Sequence, residues 1–279
     1  MQILITNDDG IDSPGLAAMA RAAIRRGHQV LVVAPDRPSS GASASIGMRT
    51  HNGRPIVQEE HPDGMPKGVR SLVVEATPAQ IVYLAAQGEF GPGPGPAMVL
   101  SGINAGANTG RAILHSGTIG VALTASVLGI RTMAVSVNGT DPVHWDTAED
   151  VAVRMMEWAE FQPSDGRILN VNIPDVPLYR LRGLREAPLA MFGALQAADI
   201  DFPDDPVSAV RRVPVEFEPE FARLEPGTDH YLLERDWVTA TMLRGMVDDF
   251  SGVHLPPLEQ VFPIHSRLHA VHRRPPWSE

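Results

Sequence analysis

Apolar positions along the first 175 residues fall into two alternating patterns, and together they predict a series of β-α-β units. Short β-branched or aliphatic runs occur at Ile3-Leu4-Ile5, residues 29–34, 71–75, 98–100, 132–137 and 169–173. Such unbroken runs mark strands buried on both faces of a parallel sheet. Between them, apolar residues recur at helical spacing. Residues 14–25 place Leu16, Met19, Ala20, Ala23 and Ile24 on one face, with Gly27 as a stop. Residues 146–160 do the same with Ala148, Val151, Ala152, Met155 and Trp158, and Asp146 and Glu149 have capping-box spacing. Ser13-Pro14 and Thr77-Pro78 each read as a capping hydroxyl with proline at the first helical position, the second helix running to Ala86. Ser116-Gly117-Thr118 opens a further helix, continuing over 120–128. The expected fold is doubly wound α/β with a mostly parallel sheet.

Three stretches break the pattern. Residues 49–70 read as irregular or short hairpin structure outside the main sheet, and residues 91–96, Gly-Pro three times over, read as a loop. Beyond residue 175 prolines multiply, and residues 213–218 and 231–241 read as extended pieces. The expected organisation is a core over 1–175 and a C-terminal β-rich lobe or arm with a loose tail over 176–279.

Candidate chemistry collects where the predicted strands end. The first strand stops in Asn7-Asp8-Asp9-Gly10, which puts two adjacent carboxylates at the carboxyl end of a buried strand, where open α/β sheets hold ligands. Two anions so close raise each other's pKa, and a divalent cation relieves the repulsion. The second strand ends in a long hydroxyl-rich loop, residues 35–43, at the same sheet edge. The fourth opens into Ser-Gly-Ile-Asn104-Ala-Gly-Ala-Asn108 and then Ser116-Gly117-Thr118 at a helix start, a cradle of backbone N–H groups suited to phosphate. Asn104 offers a neutral oxygen to a hard cation. Ordinary helix capping accounts for Ser116 and Thr118 as well, and a left-handed loop conformation for Asn104.

Charge and composition narrow the classes. The 279 residues carry a formal net charge of −10, which argues against a binder of long nucleic acid or of an anionic membrane surface but not against a small anion held locally. No cysteine is present, so thiolate catalysis, thiolate metal sites and disulfides are excluded. A first strand starting almost at Met1, with no basic leader, cleavage pattern or bilayer-length apolar run, predicts a soluble cytoplasmic protein. A phosphoryl-accepting receiver domain also carries paired acids after its first strand, but it needs a lysine late in the sheet, and the one lysine here is Lys67. A non-hydrolytic nucleotide-binding module remains as the alternative; the first turn lacks Gly-x-Gly-x-x-Gly.

The ordered blocks Ile-Leu-Ile-Thr-Asn-Asp-Asp-Gly, Ala34-Pro-Asp-Arg, Ser40-Gly-Ala-Ser43, Ser101-Gly-Ile-Asn104 with Gly106 and Asn108, Ser116-Gly-Thr118, Leu169-Asn-Val-Asn-Ile-Pro174 and Thr228-Asp229 resemble the SurE family of metal-dependent nucleotidases. The resemblance implies one divalent cation per subunit, of Mg²⁺ or Mn²⁺ type, held by Asp8, Asp9, Ser40 and Asn104. It implies a three-layer α/β/α, Rossmann-like fold and hydrolysis of nucleoside monophosphates, with the phosphate contacts expected at Asn108, Ser116, Gly117 and Thr118. Homodimers or homotetramers built through the C-terminal region are implied as well. Ser40 rests on the family's order of residues, since spacing alone does not separate it from Ser39 or Ser43. Asp8 is open to three roles: ligand, base for a water, or nucleophile. Ala76-Thr-Pro-Ala-Gln80 and Met242 depart from the family pattern, which bears on base selectivity and the pocket wall.

Overall fold

A computed structural model describes residues 1–91, 93–191 and 225–246. The readings of residues 213–218 and of the tail lie outside the described residues. Residues Met1–Gly245 form one compact unit, and of the remaining segment only Met246 is described.

The alternation yields a central sheet of six parallel strands: β1 (Gln2–Thr6), β2 (Gln29–Pro35), β6 (Arg70–Val74), β7 (Met98–Ala105), β8 (Arg131–Val137) and β9 (Arg167–Ile173). Their spatial order is β9-β8-β7-β1-β2-β6, so the chain winds outward from β1 in one direction and from β7 in the other. The point of reversal lies between β1 and β7, and ligands enter open α/β sheets outside the strand ends at that crevice.

Helices α1 (Pro14–Arg25) and α4 (Trp145–Ala159) pack together on one face, and α2 (Pro78–Ala86) and α3 (Gly117–Val127) on the other. Side-chain alternation along β1 shows how both layers are held. Ile3 and Ile5 join Leu16, Met19, Met133, Val151 and Met156 in one core, while Leu4 joins Leu72, Ile81, Val99 and Val121 in the other. The α/β/α sandwich expected from sequence is present.

Several local expectations are corrected. β7 continues through Ala105 past the expected end at Leu100, with a register shift against β8 between Ser101 and Asn104 and a cis Gly102–Ile103 peptide. Residues 49–70 do contain a hairpin, β3 (Thr50–His51) with β4 (Arg54–Pro55), but β5 (Val57–Glu59) joins the main sheet antiparallel to β6. Residues 231–241 are not uniformly extended: α5 (Asp229–Leu233) precedes β11 (Trp237–Arg244). β11 pairs antiparallel with β9 and parallel with β10 (Gly183–Glu186), so among the described residues the sheet has nine strands and extends past residue 175.

The helix caps also differ. Ser13 and Thr77 precede their helices in extended conformation, but neither hydroxyl caps; that of Thr77 donates to the Ser45 carbonyl at 2.7 Å. On α4 the Asp146/Glu149 box does not form. Asp175, some thirty residues on, accepts from the Val143 and His144 N–H groups, while Glu149 pairs with Arg21 and Arg25. Trp158 is 45% exposed, and Met156 and Ala159 complete the buried face in its place.

Candidate metal and phosphate site

At the end of β1 the Asn7 side chain closes a tight turn, donating to the Gly10 carbonyl at 2.9 Å and accepting its N–H at 3.2 Å. Gly10 takes φ +100°, a conformation costly for any residue with a Cβ. Asp8 and Asp9 are thereby displayed at the tip, Asp8 buried and Asp9 half-buried.

Three other segments close on this tip. The Ser39 N–H donates to the Asp8 main-chain oxygen at 2.7 Å, which fixes the loop after β2 beside the acids. Ser40, the next residue, is half-buried. The loop is held further along by the Ser43 hydroxyl, which donates to the Leu114 carbonyl at 2.8 Å. From β7, the Ala105 N–H points at Asp9 across a long 3.4 Å, and Asn104 is buried with its Nδ2 donating to the Gly106 carbonyl at 2.7 Å. The Asn104 Oδ1 is buried and has no hydrogen-bond partner.

The fourth segment is the start of α3, reached through a 3₁₀ turn, Gly110–His115. Ser116 caps the helix, its hydroxyl accepting the Ile119 N–H at 3.1 Å. The Thr118 hydroxyl donates to Asp8 Oδ1 at 2.8 Å and is fully enclosed. Gly117 is required by proximity, since a Cβ there would lie 2.6 Å from Asp8 Oδ2. The positive end of the helix therefore abuts the Asp8 carboxylate.

Asp8, Asp9, Asn104, Gly117 and Thr118 are brought together, with the Ser39–Ser40 loop against them. Asn108 lies in a different environment. Its N–H donates to Asn172 Oδ1 at 2.7 Å and its Nδ2 to the Ser136 hydroxyl at 2.7 Å, while its carbonyl accepts from Asn170 and Asn172. This buried amide cluster fastens the loop after β7 onto β8 and β9. Sequence reasoning assigned no role to Asn170, Asn172 or Ser136; two asparagines at period two in an otherwise apolar strand were the available signal.

Electrostatics make the acid pair a receptor for positive charge. Burial pushes the Asp8 carboxyl up, opposed by the bonds from Thr118. Burial, then the charge of Asp8, push Asp9 up to about 7, opposed by the Ala105 N–H. A cation among these oxygens would lower both penalties at once. Among the described residues no three His, Cys, Asp or Glu side chains converge, so a metal here depends on two carboxylates completed by neutral oxygens. The unpartnered Asn104 Oδ1 supplies one, and an all-oxygen set suits a hard cation.

The family model described as Survival protein SurE matches residues 3–193. The 5'/3'-nucleotidase SurE of Cronobacter sakazakii is 37% identical over 207 residues, 74% of this chain and 75% of that protein. The 5'-nucleotidase SurE of Marinobacter nauticus is 36% identical over 242 residues, 86% and 88% of the two chains. The crystal structure of the SurE protein from Aquifex aeolicus superposes with a TM-score of 0.69 at 26% identity, covering 94% of this chain and 99% of that one. With its acid pair, its Asn104 loop and its Ser116-Gly117-Thr118 helix start all inside the matched span, this chain belongs to the SurE family.

Proposed function

We propose that this chain is a divalent-metal-dependent phosphomonoesterase that hydrolyses nucleoside monophosphates to nucleoside and phosphate, acting on 5'-phosphates and also on 3'-phosphates. Its relatives named as nucleotidases support the substrate class. The observation that carries the metal site is the buried, unpartnered Asn104 Oδ1 at the strand end whose Ala105 N–H points at Asp9, one of two carboxylates whose proton affinity is raised. An uncompensated polar atom of that kind costs free energy unless something occupies it.

Asp8, Asp9, Asn104 and Ser40 are the residues we assign to a cation of Mg²⁺ or Mn²⁺ type. When bound, such an ion supplies Lewis-acid polarisation of a phosphoryl oxygen and neutralises developing charge. The chain's own residues do the rest. The start of α3, where the helix dipole favours negative charge, is the side we assign to phosphoryl oxygens, with the Gly117 N–H as donor; the Ser116 N–H is given to the Ile113 carbonyl at 3.1 Å and that of Thr118 to Asp8. Asp8, held in one orientation by Thr118, accepts the proton of the water that attacks phosphorus. Asn108 contributes through the shape of its loop. The partners we infer are nucleoside monophosphates and further copies of this chain. The second inference is supported by β10, exposed at every position at the margin of the sheet. No helix among the described residues is long and apolar enough to cross a membrane.

The test is phosphate release from a panel of nucleoside monophosphates with chelator, with Mg²⁺ or Mn²⁺ restored, and with Asp8→Asn alongside. Turnover is expected to vanish with chelator, return with metal, and fall about 10²-fold or more in the variant. Tight nucleotide binding without turnover under any metal would replace the enzyme with a binding module.

A further inference from the structure

Asp229 is a carboxylate with no exposed surface, remote in sequence from the acid pair and outside the oxygen set just described. Three backbone N–H groups satisfy it: Oδ1 accepts from Ala190 at 2.9 Å and from His230 at 2.8 Å, and Oδ2 accepts from Gly110 at 2.8 Å. It therefore joins α5, the segment after β10 and the loop after β7. The same seam is reinforced where the Arg111 N–H donates to the Ala190 carbonyl at 3.1 Å, the Asp229 N–H to the Pro188 carbonyl at 2.9 Å, and the Thr109 hydroxyl meets His230 Nδ1 at 3.1 Å.

The loop so anchored follows directly on Asn104 and Ala105, the last two residues of β7. The orientation of the Asn104 side chain depends on the loop, because its Nδ2 is spent on the Gly106 carbonyl, which leaves the buried Oδ1 without a protein partner. The loop ends in the turn that delivers Ser116 to α3. Gly110 lies between the two and takes φ +58°, so its N–H can reach Asp229 without side-chain strain.

We propose that Asp229 is a positioning residue for the metal site: by holding Gly110 it sets the Asn104 loop, and through it the aim of the Asn104 oxygen. The proposal rests on the reading that Asn104 is a metal ligand. The chemistry of the carboxylate gives a selective probe. In Asp229→Asn the side chain keeps its size but presents one oxygen and one NH₂. The oxygen is best placed where two donors converge, at Ala190 and His230, which turns the NH₂ toward the Gly110 N–H. Donor then faces donor, and the bond to the loop alone is lost.

The experiment has three arms on the full chain. Mn²⁺ binding is measured calorimetrically for wild type, Asp229→Asn, Asn104→Ala and, as a control that removes a distant anchor, Asp175→Asn. Amide hydrogen exchange is followed in wild type and Asp229→Asn, and kcat and KM are measured for a nucleoside monophosphate. Asp229→Asn is expected to weaken Mn²⁺ binding roughly tenfold or more, the size typical of a lost outer-shell partner, and to speed exchange across residues 104–111 while α3 stays protected. It should lower kcat more than it raises KM. Asp175→Asn should lower thermal stability and leave Mn²⁺ affinity unchanged. In wild type, which carries no folding risk, Mn²⁺ should in turn slow exchange at Gly110, as linkage requires. If Asn104→Ala loses Mn²⁺ affinity while Asp229→Asn keeps it, or if Mn²⁺ leaves Gly110 exchange unaltered, the positioning role is overturned and the metal site stands. If Asn104→Ala keeps full affinity, the ligand reading falls and the positioning role falls with it.

Discussion

Asp9 shows what a single side chain carries at this site. Its unfolded value is near 3.8, and in the folded chain burial, then the neighbouring Asp8, push it up to about 7. An acid whose folded value is raised binds its proton more tightly when folded, so stability is greatest near the unfolded value and falls as pH rises through the folded one. Thermal melts with chelator should therefore show a melting temperature that drops between pH 5 and pH 8. Saturating Mg²⁺ should restore it most at the high end, and Asp9→Asn should flatten the profile; a melting temperature that climbs over this range would refute the electrostatic account. Thr118 poses a different question. From sequence it reads as a phosphate contact, yet its hydroxyl is enclosed and spent on Asp8. Thr118→Val should lower kcat by about 10²-fold with little change in phosphate inhibition, and Thr118→Ser should retain activity, because only the hydroxyl that orients the base is at stake. A side chain that bound phosphate directly would instead weaken inhibition by phosphate.

Elements meet at the site because glycines allow close approach. A Cβ at Gly120 would run into the Ser43 carbonyl, so α3 and the loop after β2 can lie together only if that position is bare. Gly120→Ala should cost about 1–3 kcal/mol in denaturant melts, in the range of overpacked cores, and displace the loop that carries Ser40. Gly129→Ala has no atoms near its Cβ and serves as the contrast: it should show only the cost of a residue at φ +71° and keep KM unchanged. This scale also shows what was legible. Strands β1, β2, β8 and β9 and helices α1 and α4 were visible because a parallel sheet under helices demands long apolar runs and a 3.6-residue repeat. Pro14 and Pro78 marked helix starts, since proline's restriction is local. The hydroxyls beside them did not behave as caps, Thr77 having found a tertiary acceptor at Ser45, and the chain entering α4 is held at Val143 and His144 by Asp175 instead of by a local box. A partner thirty residues away leaves no local trace. The short α5 was hidden likewise, having too few residues for a periodic signal, and nothing local to Asp229, quoted from sequence only as part of a family block, foretells that the fold buries it. Asp8, Asp9 and Asn104 were readable because strand order alone brings the ends of β1 and β7 together.

At the scale of the whole molecule the site and the surface pull in opposite directions. In the proposed reading the crevice between β1 and β7 compensates negative charge with the start of α3 and a cation, whereas the chain as a whole carries a formal charge of −10. A nucleoside monophosphate brings its charge in one small group, for which local compensation outweighs the distant field. A long polynucleotide must in addition lay phosphate after phosphate along the acidic exterior. Where the described exterior offers no basic track it releases no counterions, and counterion release is what gives extended nucleic acid its affinity. Described arginines on the exterior are largely committed to acids or rings: Arg21 and Arg25 to Glu149, Arg26 to Glu160, Arg167 to Asp165, and Arg182 and Arg185 over Trp237. Hydrolysis of nucleoside monophosphates should accordingly be nearly flat between about 50 and 200 mM salt, the span over which a protein making 6–10 phosphate contacts loses about 10³–10⁵ in affinity. Long RNA should compete with a nucleoside monophosphate only weakly at either salt concentration. Titrating a folded transcript and a single nucleotide against the same chain, at both ends of that range, checks this directly. Potent competition by the transcript that collapses with added salt would mean that the exterior carries a basic track, and the assignment of small monoesters as the substrate class would then have to widen to polymers.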